Sequence, residues 1–103
     1  MSKELEEFRL KVVKFPENLL FRFSFAQKLS DHNQPREAVE QLTFCLEKRN
    51  DWMIAHLLKA KLEMRLGQNS EAISSLKKTI ELARDQSHDD PLLEAQELLN
   101  SLL

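Results

Sequence analysis

The sequence predicts an all-α fold, a short solenoid of about six helices packed as antiparallel pairs. Apolar residues recur at three- and four-residue spacing along most of the chain, which is the period of an amphipathic helix. The 103 residues include one glycine and three prolines, too few turn residues for an all-β fold. A helix–turn–helix pattern also occurs twice, with a shift of 34 residues. Together these observations predict one domain, residues 1–103, built from stacked helix pairs.

The repeated unit is organised around a tight turn. Gly67 ends one helical pattern, because glycine takes the left-handed conformation that closes a helix. Asn69 and Ser70 are expected to cap the helix that follows. A shift of 34 residues aligns His32–Val39 with Leu66–Ile73. The residues that match across this shift, identically or conservatively, are Ala26/Ala60, Gln34/Gln68, Glu37/Glu71, Ala38/Ala72, Val39/Ile73, Leu42/Leu76, Leu46/Ile80 and Glu47/Glu81.

Two helices are predicted before the first tight turn. The first spans Ser2–Phe15 and ends before Pro16, since the residue that precedes a proline is disfavoured in a helix. Its apolar face consists of Leu5, Phe8, Val12 and Phe15. The second runs from Leu19 to about Asp31. Its core stripe consists of Phe21, Phe25, Ala26 and Leu29.

Four further helices follow. Pro35 fits the first turn of the third, whose inward residues are Ala38, Leu42, Cys45 and Leu46. Asn50 and Asp51 offer a cap for the fourth, predicted over Trp52–Leu66. The fifth ends near Arg84 and repeats the inward pattern with Ala72, Leu76, Thr79 and Ile80. Asp90 is expected to cap the last helix, Pro91–Leu103, whose apolar face holds Leu92, Ala95, Leu98, Leu99 and Leu102.

Charge and composition narrow the classes of partner. The formal net charge is −2 with both signs interspersed, so nucleic acid and anionic membrane are disfavoured. No apolar run approaches the roughly 20 residues of a membrane span. The acidic N-terminus lacks the apolar region of a signal peptide. One cysteine, Cys45, cannot form an internal disulfide, which is consistent with a reducing cytoplasm.

No constellation for catalysis or for a cofactor is evident. Cys45 lies in the middle of a helix on its inward face, which favours a buried structural thiol over a nucleophile. His32, His56 and His88 are scattered and make no metal-ligand spacing. A single glycine cannot build a phosphate-binding loop. We therefore expect a protein that is not an enzyme and has no metal or cofactor.

The matched residues resemble the tetratricopeptide repeat family, in which helix pairs repeat every 34 residues. The resemblance covers repeat one at 19–52 and repeat two at 53–86, with an N-terminal half repeat at 2–15 and a C-terminal capping helix at 90–103. This layout is similar to small stand-alone bacterial members and implies a right-handed superhelix. Repeat two departs from the family pattern, because His56, Lys59 and Glu63 replace large apolar residues. Either this helix is rotated or that face is wet.

The resemblance also implies a binding site. The family binds peptides or helices in a concave groove lined by the first helix of each repeat. The corresponding residues are Leu20, Phe23, Gln27, Ser30 and Asp31 in repeat one, and Ile54, Leu57, Lys61, Met64 and Arg65 in repeat two. Lys61 and Arg65 would make one end cationic and suit an acidic ligand. Phe23 and Gln27 stand where the family's carboxylate clamp has Lys and Asn, so chaperone-type carboxylate capture is rejected.

Two functions follow from this sequence. The first is a non-enzymatic interaction module that binds a peptide or helix of a partner protein in the concave groove. The alternative is self-assembly as a homodimer through an exposed end of the stack or through the C-terminal helix. Trp52 is either a contact for the partner or packing between the repeats, and the second is favoured. Leu20 and Phe23 are either anchors in the groove or residues covered by the N-terminal helix.

Overall fold

The computed structural model describes residues 2–103, which form six α-helices and confirm the predicted all-α fold. Each connection between consecutive helices is only a few residues long, so neighbouring helices run antiparallel. The helices are α1 (Lys3–Lys14), α2 (Leu19–Asp31), α3 (Pro35–Lys48), α4 (Met53–Arg65), α5 (Asn69–Asp85) and α6 (Asp89–Leu102).

The helices stack in chain order, and each packs mainly on the next. Contacts between alternate helices join the layers: α4 also contacts α6, and Arg9 of α1 donates to Glu37 of α3. The stack therefore has two sides. The even-numbered helices α2, α4 and α6 form one side, and the odd-numbered helices α1, α3 and α5 form the other. We call the side formed by α2, α4 and α6 the concave side.

The core follows the repeat. In repeat one, Phe25, Leu29 and Leu42 are almost fully buried at its centre. In repeat two, Leu57 and Leu76 pack beneath Ala95 of α6. Alanines without exposed surface allow helices to approach closely at matched positions of the two repeats and in α6. These alanines are Ala26, Ala38, Ala60, Ala72 and Ala95.

Three turns share one backbone device. Asn33, Gly67 and Ser87 have φ values of 60°, 73° and 56°, the left-handed region that closes a helix. In each case the next amide donates to a carbonyl five residues earlier, for example Gln68 N–H to Glu63 O at 2.8 Å. Asn33 and Gly67 are equivalent across the repeat. A Cβ at Gly67 meets no atom within 4 Å, so the glycine answers only to the backbone conformation.

The predicted helix starts are less accurate than the helices themselves. The expected caps at Asn50–Asp51, Asn69–Ser70 and Asp90 are wrong, because the residues that precede α4, α5 and α6 are Trp52, Gln68 and His88. None of these three caps with its side chain. For α5 and α6, the left-handed turn residue reverses the chain so quickly that the predicted caps already lie in the first helical turn.

Two predictions near α1 have different outcomes. Ser2 and Asn18 do cap their helices, with their side chains accepting from Leu5 N–H at 3.4 Å and Phe21 N–H at 3.0 Å. The placement of Phe15 on the buried face of α1 is wrong, since its side chain is exposed. The helix ends at Lys14, so Phe15 leaves the helical register and lies against the Phe21 ring instead.

Candidate functional site

The concave side carries a groove that crosses α2, α4 and α6. Its centre is a hollow of about 280 Å³. The residues that line this hollow are Phe23, Gln27, Ile54, Leu57, Leu58, Lys61 and Glu94. A second hollow, of about 250 Å³, shares Ile54 and extends toward Trp52 and Pro91. A third, of about 310 Å³, shares Gln27 and Leu58 and extends toward Asp31. We call these three connected hollows the groove.

The groove presents apolar surface to solvent. Leu20 is 65% exposed and Ile54 is 42% exposed, two of the largest apolar exposures in the part of the chain that the structure describes. Phe23 is half-buried and stacks on Trp52, with 4.7 Å between the ring centroids. This stack joins α2 to the start of α4, so Trp52 packs between the repeats as favoured. Helix α1 covers neither Leu20 nor Phe23, which leaves the role of groove anchors for both.

Five of the eight residues proposed for partner binding line the central hollow. They are Phe23, Gln27, Ile54, Leu57 and Lys61. Leu57 gives the groove little surface, because it is 5% exposed and belongs to the core beneath α6. Met64 packs in the same core cluster, so it supports α6 rather than lining the groove. The sequence reading missed Leu58, one helical turn after Ile54, and Glu94, whose position depends on how α6 packs.

The predicted cationic end of the groove is absent from the geometry. Lys61 Nζ lies 2.5 Å from Glu94 Oε2 and forms an ion pair across the groove. Arg65 donates to Ser30 Oγ at 3.1 Å and to Asn33 Oδ1 at 2.8 Å, which holds it against the end of α2. Both cations therefore have partners within the chain. The expectation of an acidic ligand loses its basis, since it depended on these two side chains being available.

The polar face of α4 is neither wet nor without partners. His56 is 8% exposed and Glu63 is 2% exposed. Glu63 accepts from Lys59 Nζ at 2.8 Å and from Ser75 Oγ at 2.7 Å, so its carboxylate is satisfied between α4 and α5. Because these side chains face the interior of repeat two and not the concave side, they form a polar core and take no part in the groove.

His56 belongs to the same polar core. Its Nε2 lies 2.8 Å from Asn50 O, and this contact requires the proton on Nε2, since the carbonyl only accepts. Burial lowers the pKa of the His56 ring below its ordinary value, and the nearby charges of Lys78 and Lys59 act in the same direction. The hydrogen bond to Asn50 and the charge of Glu63 oppose this shift without cancelling it. His56 is thus a neutral hydrogen-bond donor that fastens the α3–α4 turn.

The cysteine lies away from the groove. Cys45 is fully buried, and its Sγ lies 3.7 Å from Leu19 O. Burial raises the pKa of the Cys45 thiol, and the charge of Arg22 opposes this only in part. A protonated buried thiol is a poor nucleophile. Among residues 2–103, no group of three or more His, Cys, Asp or Glu side chains is arranged to hold a metal ion.

The largest hollow lies elsewhere, between α5 and α6, and measures about 640 Å³. Ile80 and Leu99 are half-buried within it, and its other lining residues are charged or polar. They are Lys77, Glu81, Arg84, Asp85, Gln96 and Asn100. The groove is the better candidate site despite its smaller hollows, because it collects exposed apolar side chains from three helices. In the described chain, no helix combines the length and apolar character needed to cross a membrane.

Stacked antiparallel helix pairs with a 34-residue repeat and a groove on one side define a tetratricopeptide-type helical repeat protein. A family model described as anaphase-promoting complex subunit 5 matches residues 7–103, nearly the whole chain. The chain therefore belongs to this family of helical-repeat proteins. No curated protein matches the sequence.

Solved structures of bacterial proteins share the fold. The solution structure of a tetratricopeptide repeat domain protein from Salinibacter ruber is 25% identical, with a TM-score of 0.75, over 84% of this chain and 88% of that one. A crystal structure of a Salinibacter ruber tetratricopeptide repeat domain protein is 24% identical, with a TM-score of 0.76, over 84% and 96%. A Bordetella parapertussis protein is 20% identical, with a TM-score of 0.83, over 99% and 89%. These matches support the tetratricopeptide fold.

Proposed function

We propose that this protein is a non-enzymatic interaction module that binds a peptide or helix of a partner protein in its concave groove. The observation that carries the proposal is the exposed apolar strip of Leu20, Phe23 and Ile54 beside connected hollows on three helices. Exposed apolar surface gathered in a concave site is typical of an interaction surface. The tetratricopeptide class is generally one of protein-interaction modules, which supports the same proposal. A cytoplasmic location is part of it, in keeping with the free thiol of Cys45.

The test must alter the groove without damaging the core. Leu57 is unsuitable, because a charge at this buried position would unfold repeat two. The double variant Leu20→Ser/Ile54→Ser removes exposed apolar surface and should change stability by less than about 1 kcal/mol. The matched control is Leu10→Ser/Val13→Ser, which removes apolar side chains that are 67% and 73% exposed on the outer face of α1.

Affinity capture with quantitative mass spectrometry compares the wild type with both variants in the same lysate. We expect at least one protein to be recovered by the wild type and by the control variant but lost with Leu20→Ser/Ile54→Ser. Equal recovery with all three proteins would place the binding site outside the groove. Thermal melts of both variants show whether each remains folded, so that loss of binding is separated from loss of structure.

The alternative function is self-assembly through the C-terminal end of the stack. It is favoured by the hollow between α5 and α6 and by the exposed side chains of Leu93 and Leu103 on α6 and after it. Sedimentation equilibrium over a wide concentration range tests it directly. A mass that rises with concentration and falls back with Leu93→Ser would support self-assembly, whereas a constant monomer mass would exclude it.

A further inference from the structure

Helix α6 gives one wall of the groove a single sign of charge. It contains Asp89, Asp90, Glu94 and Glu97 and has no lysine, arginine or histidine. Three of these acids follow the spacing of one helical face, because Asp90, Glu94 and Glu97 are four and three residues apart. Glu94 lines the central hollow, which places this acidic strip along the groove.

Little positive charge within the chain balances this strip. Lys61 pairs with Glu94, while Asp90 and Glu97 form no ion pair within residues 2–103 and are exposed to solvent. The opposite wall, α2, presents Gln27 and Asp31 to the groove, and its Lys28 is paired with Glu4 of α1. These contacts leave a surplus of carboxylates facing the groove.

The end of the groove near Trp52 does not reverse this sign. Arg49 lies over the Trp52 ring at 4.9 Å, and its Nε is 3.7 Å from Asp51 Oδ1. Its charge is therefore matched locally, as that of Lys61 is. A concave site with low-dielectric apolar walls concentrates the field of its unpaired charges. The groove should attract cations and repel anions.

We propose that the groove binds a basic amphipathic segment of a partner protein. The apolar side chains of that segment contact Phe23, Ile54 and Leu58, and its lysine or arginine side chains lie along Asp90 and Glu97. This inference rests on the proposed function and gives it a chemical class of partner. The apolar contacts supply most of the affinity, and the charges select the partner and speed association.

Selection from a random linear-peptide library displayed on phage tests the charge without assuming a ligand. Four immobilised proteins are compared: the wild type, Leu20→Ser/Ile54→Ser, Asp90→Asn/Glu97→Gln and a charge-matched control, Glu40→Gln/Glu47→Gln. Glu40 and Glu47 are exposed on α3, on the other side of the stack. Selected peptides are then synthesised, and their affinities are measured by fluorescence anisotropy.

We expect the peptides that need Leu20 and Ile54 to be enriched in Lys and Arg as well as in apolar residues. Asp90→Asn/Glu97→Gln should weaken them about 3- to 10-fold, as expected for two solvent-exposed charge pairs. Glu40→Gln/Glu47→Gln should leave their affinity within about twofold of the wild type, since exposed charges on the far side are screened. High salt should remove most of the difference between the groove variant and the wild type.

The outcomes separate the inference from the function on which it rests. Groove-dependent peptides that are neutral or acidic would overturn the basic partner and leave the groove as the binding site. Basic peptides weakened equally by both sets of charge changes would show attraction to the whole surface and overturn the inference. A library that yields no groove-dependent peptide would count against both proposals.

Discussion

The two repeats solve the same packing problem with opposite chemistry. In repeat one, the face of α2 that turns into the stack carries Phe25 and Leu29, which are 1% and 0% exposed. The equivalent positions in α4 are Lys59 and Glu63, and Glu63 is as deeply buried as Leu29. This position in the fold therefore demands burial, while a carboxylate is accepted if its hydrogen bonds are made inside.

The neighbouring helices explain why each choice works where it stands. Ser75 of α5 donates to Glu63, and its equivalent in α3 is Gln41, whose amide oxygen already accepts from Arg22 at 3.0 Å. A charged α4 face is thus matched by a polar α5, and an apolar α2 face by an α3 whose polar group is used elsewhere. Each repeat is consistent within itself, and single exchanges between them should fail.

The largest effect is expected when the carboxylate is moved into repeat one alone. In Leu29→Glu, the new side chain meets Phe25 where Glu63 has Lys59, so a buried charge has no partner. We expect a loss of about 4 kcal/mol or more, which would leave much of the protein unfolded. Urea denaturation followed by circular dichroism measures it. A loss below about 1 kcal/mol would show that this region of repeat one admits water.

Breaking the polar core of repeat two should have the next largest effect. Lys59→Ala removes the cation from Glu63 and leaves the carboxylate with Ser75 alone, at an expected cost of about 2–3 kcal/mol. The control is Lys61→Ala, which breaks the exposed pair with Glu94 and should cost less than about 1 kcal/mol. Chemical denaturation of both variants provides the comparison, and equal losses would contradict a special role for the buried pair.

A smaller effect is expected from pH, through His56. Because its pKa is lowered in the folded protein, the unfolded chain binds the proton more readily in the window below about 6.5. The free energy of unfolding should therefore fall as pH decreases from about 6.5 to the folded pKa, and it should stop changing through this group below that.

Replacement of the ring isolates the His56 contribution to this pH dependence. The variant His56→Gln should show a flatter dependence of unfolding free energy on pH in that window. The control His88→Gln alters an exposed ring in the α5–α6 turn and should keep the wild-type dependence. Parallel curves for the wild type and His56→Gln would show that other groups cause the change.

The smallest effect is expected when the whole apolar solution is copied into repeat two. The double variant Lys59→Phe/Glu63→Leu recreates the α2 face in α4, and replacing a buried ion pair by apolar side chains is often neutral or stabilising. We expect an unfolding free energy within about 1 kcal/mol of the wild type, with Ser75 Oγ left to bond to its own helix. A double variant less stable than Lys59→Ala would mean that the two faces are not interchangeable.

Much of the fold was predictable from local pattern. The helices, the 34-residue repeat, the alanines at close approaches and the role of Gly67 follow from spacing along the chain, because a helix buries residues with a fixed period. The helix starts were less predictable. Asn33 and Ser87 close their helices as Gly67 does, and these turns, rather than the nearby capping residues, determine where α3 and α6 begin.

The candidate site was predictable only in part. The resemblance indicated which helices line the groove, and five of the residues carried over from it do line the central hollow. Spacing alone did not show that Leu57 and Met64 pack beneath α6, because their burial depends on a helix about 30 residues later in the chain. Leu58 was within reach, since it follows Ile54 by one helical turn.

The sequence by itself determined the class of fold, the number and order of helices and most of the core. Only the tertiary structure decided which charges are spent internally. Lys61 meets Glu94, Arg65 meets Ser30, and Glu63 meets Ser75, each on a different helix. Helix period is a property of neighbouring residues, whereas the partner of a charged side chain depends on how helices distant in sequence pack, and that packing sets the charge of the groove.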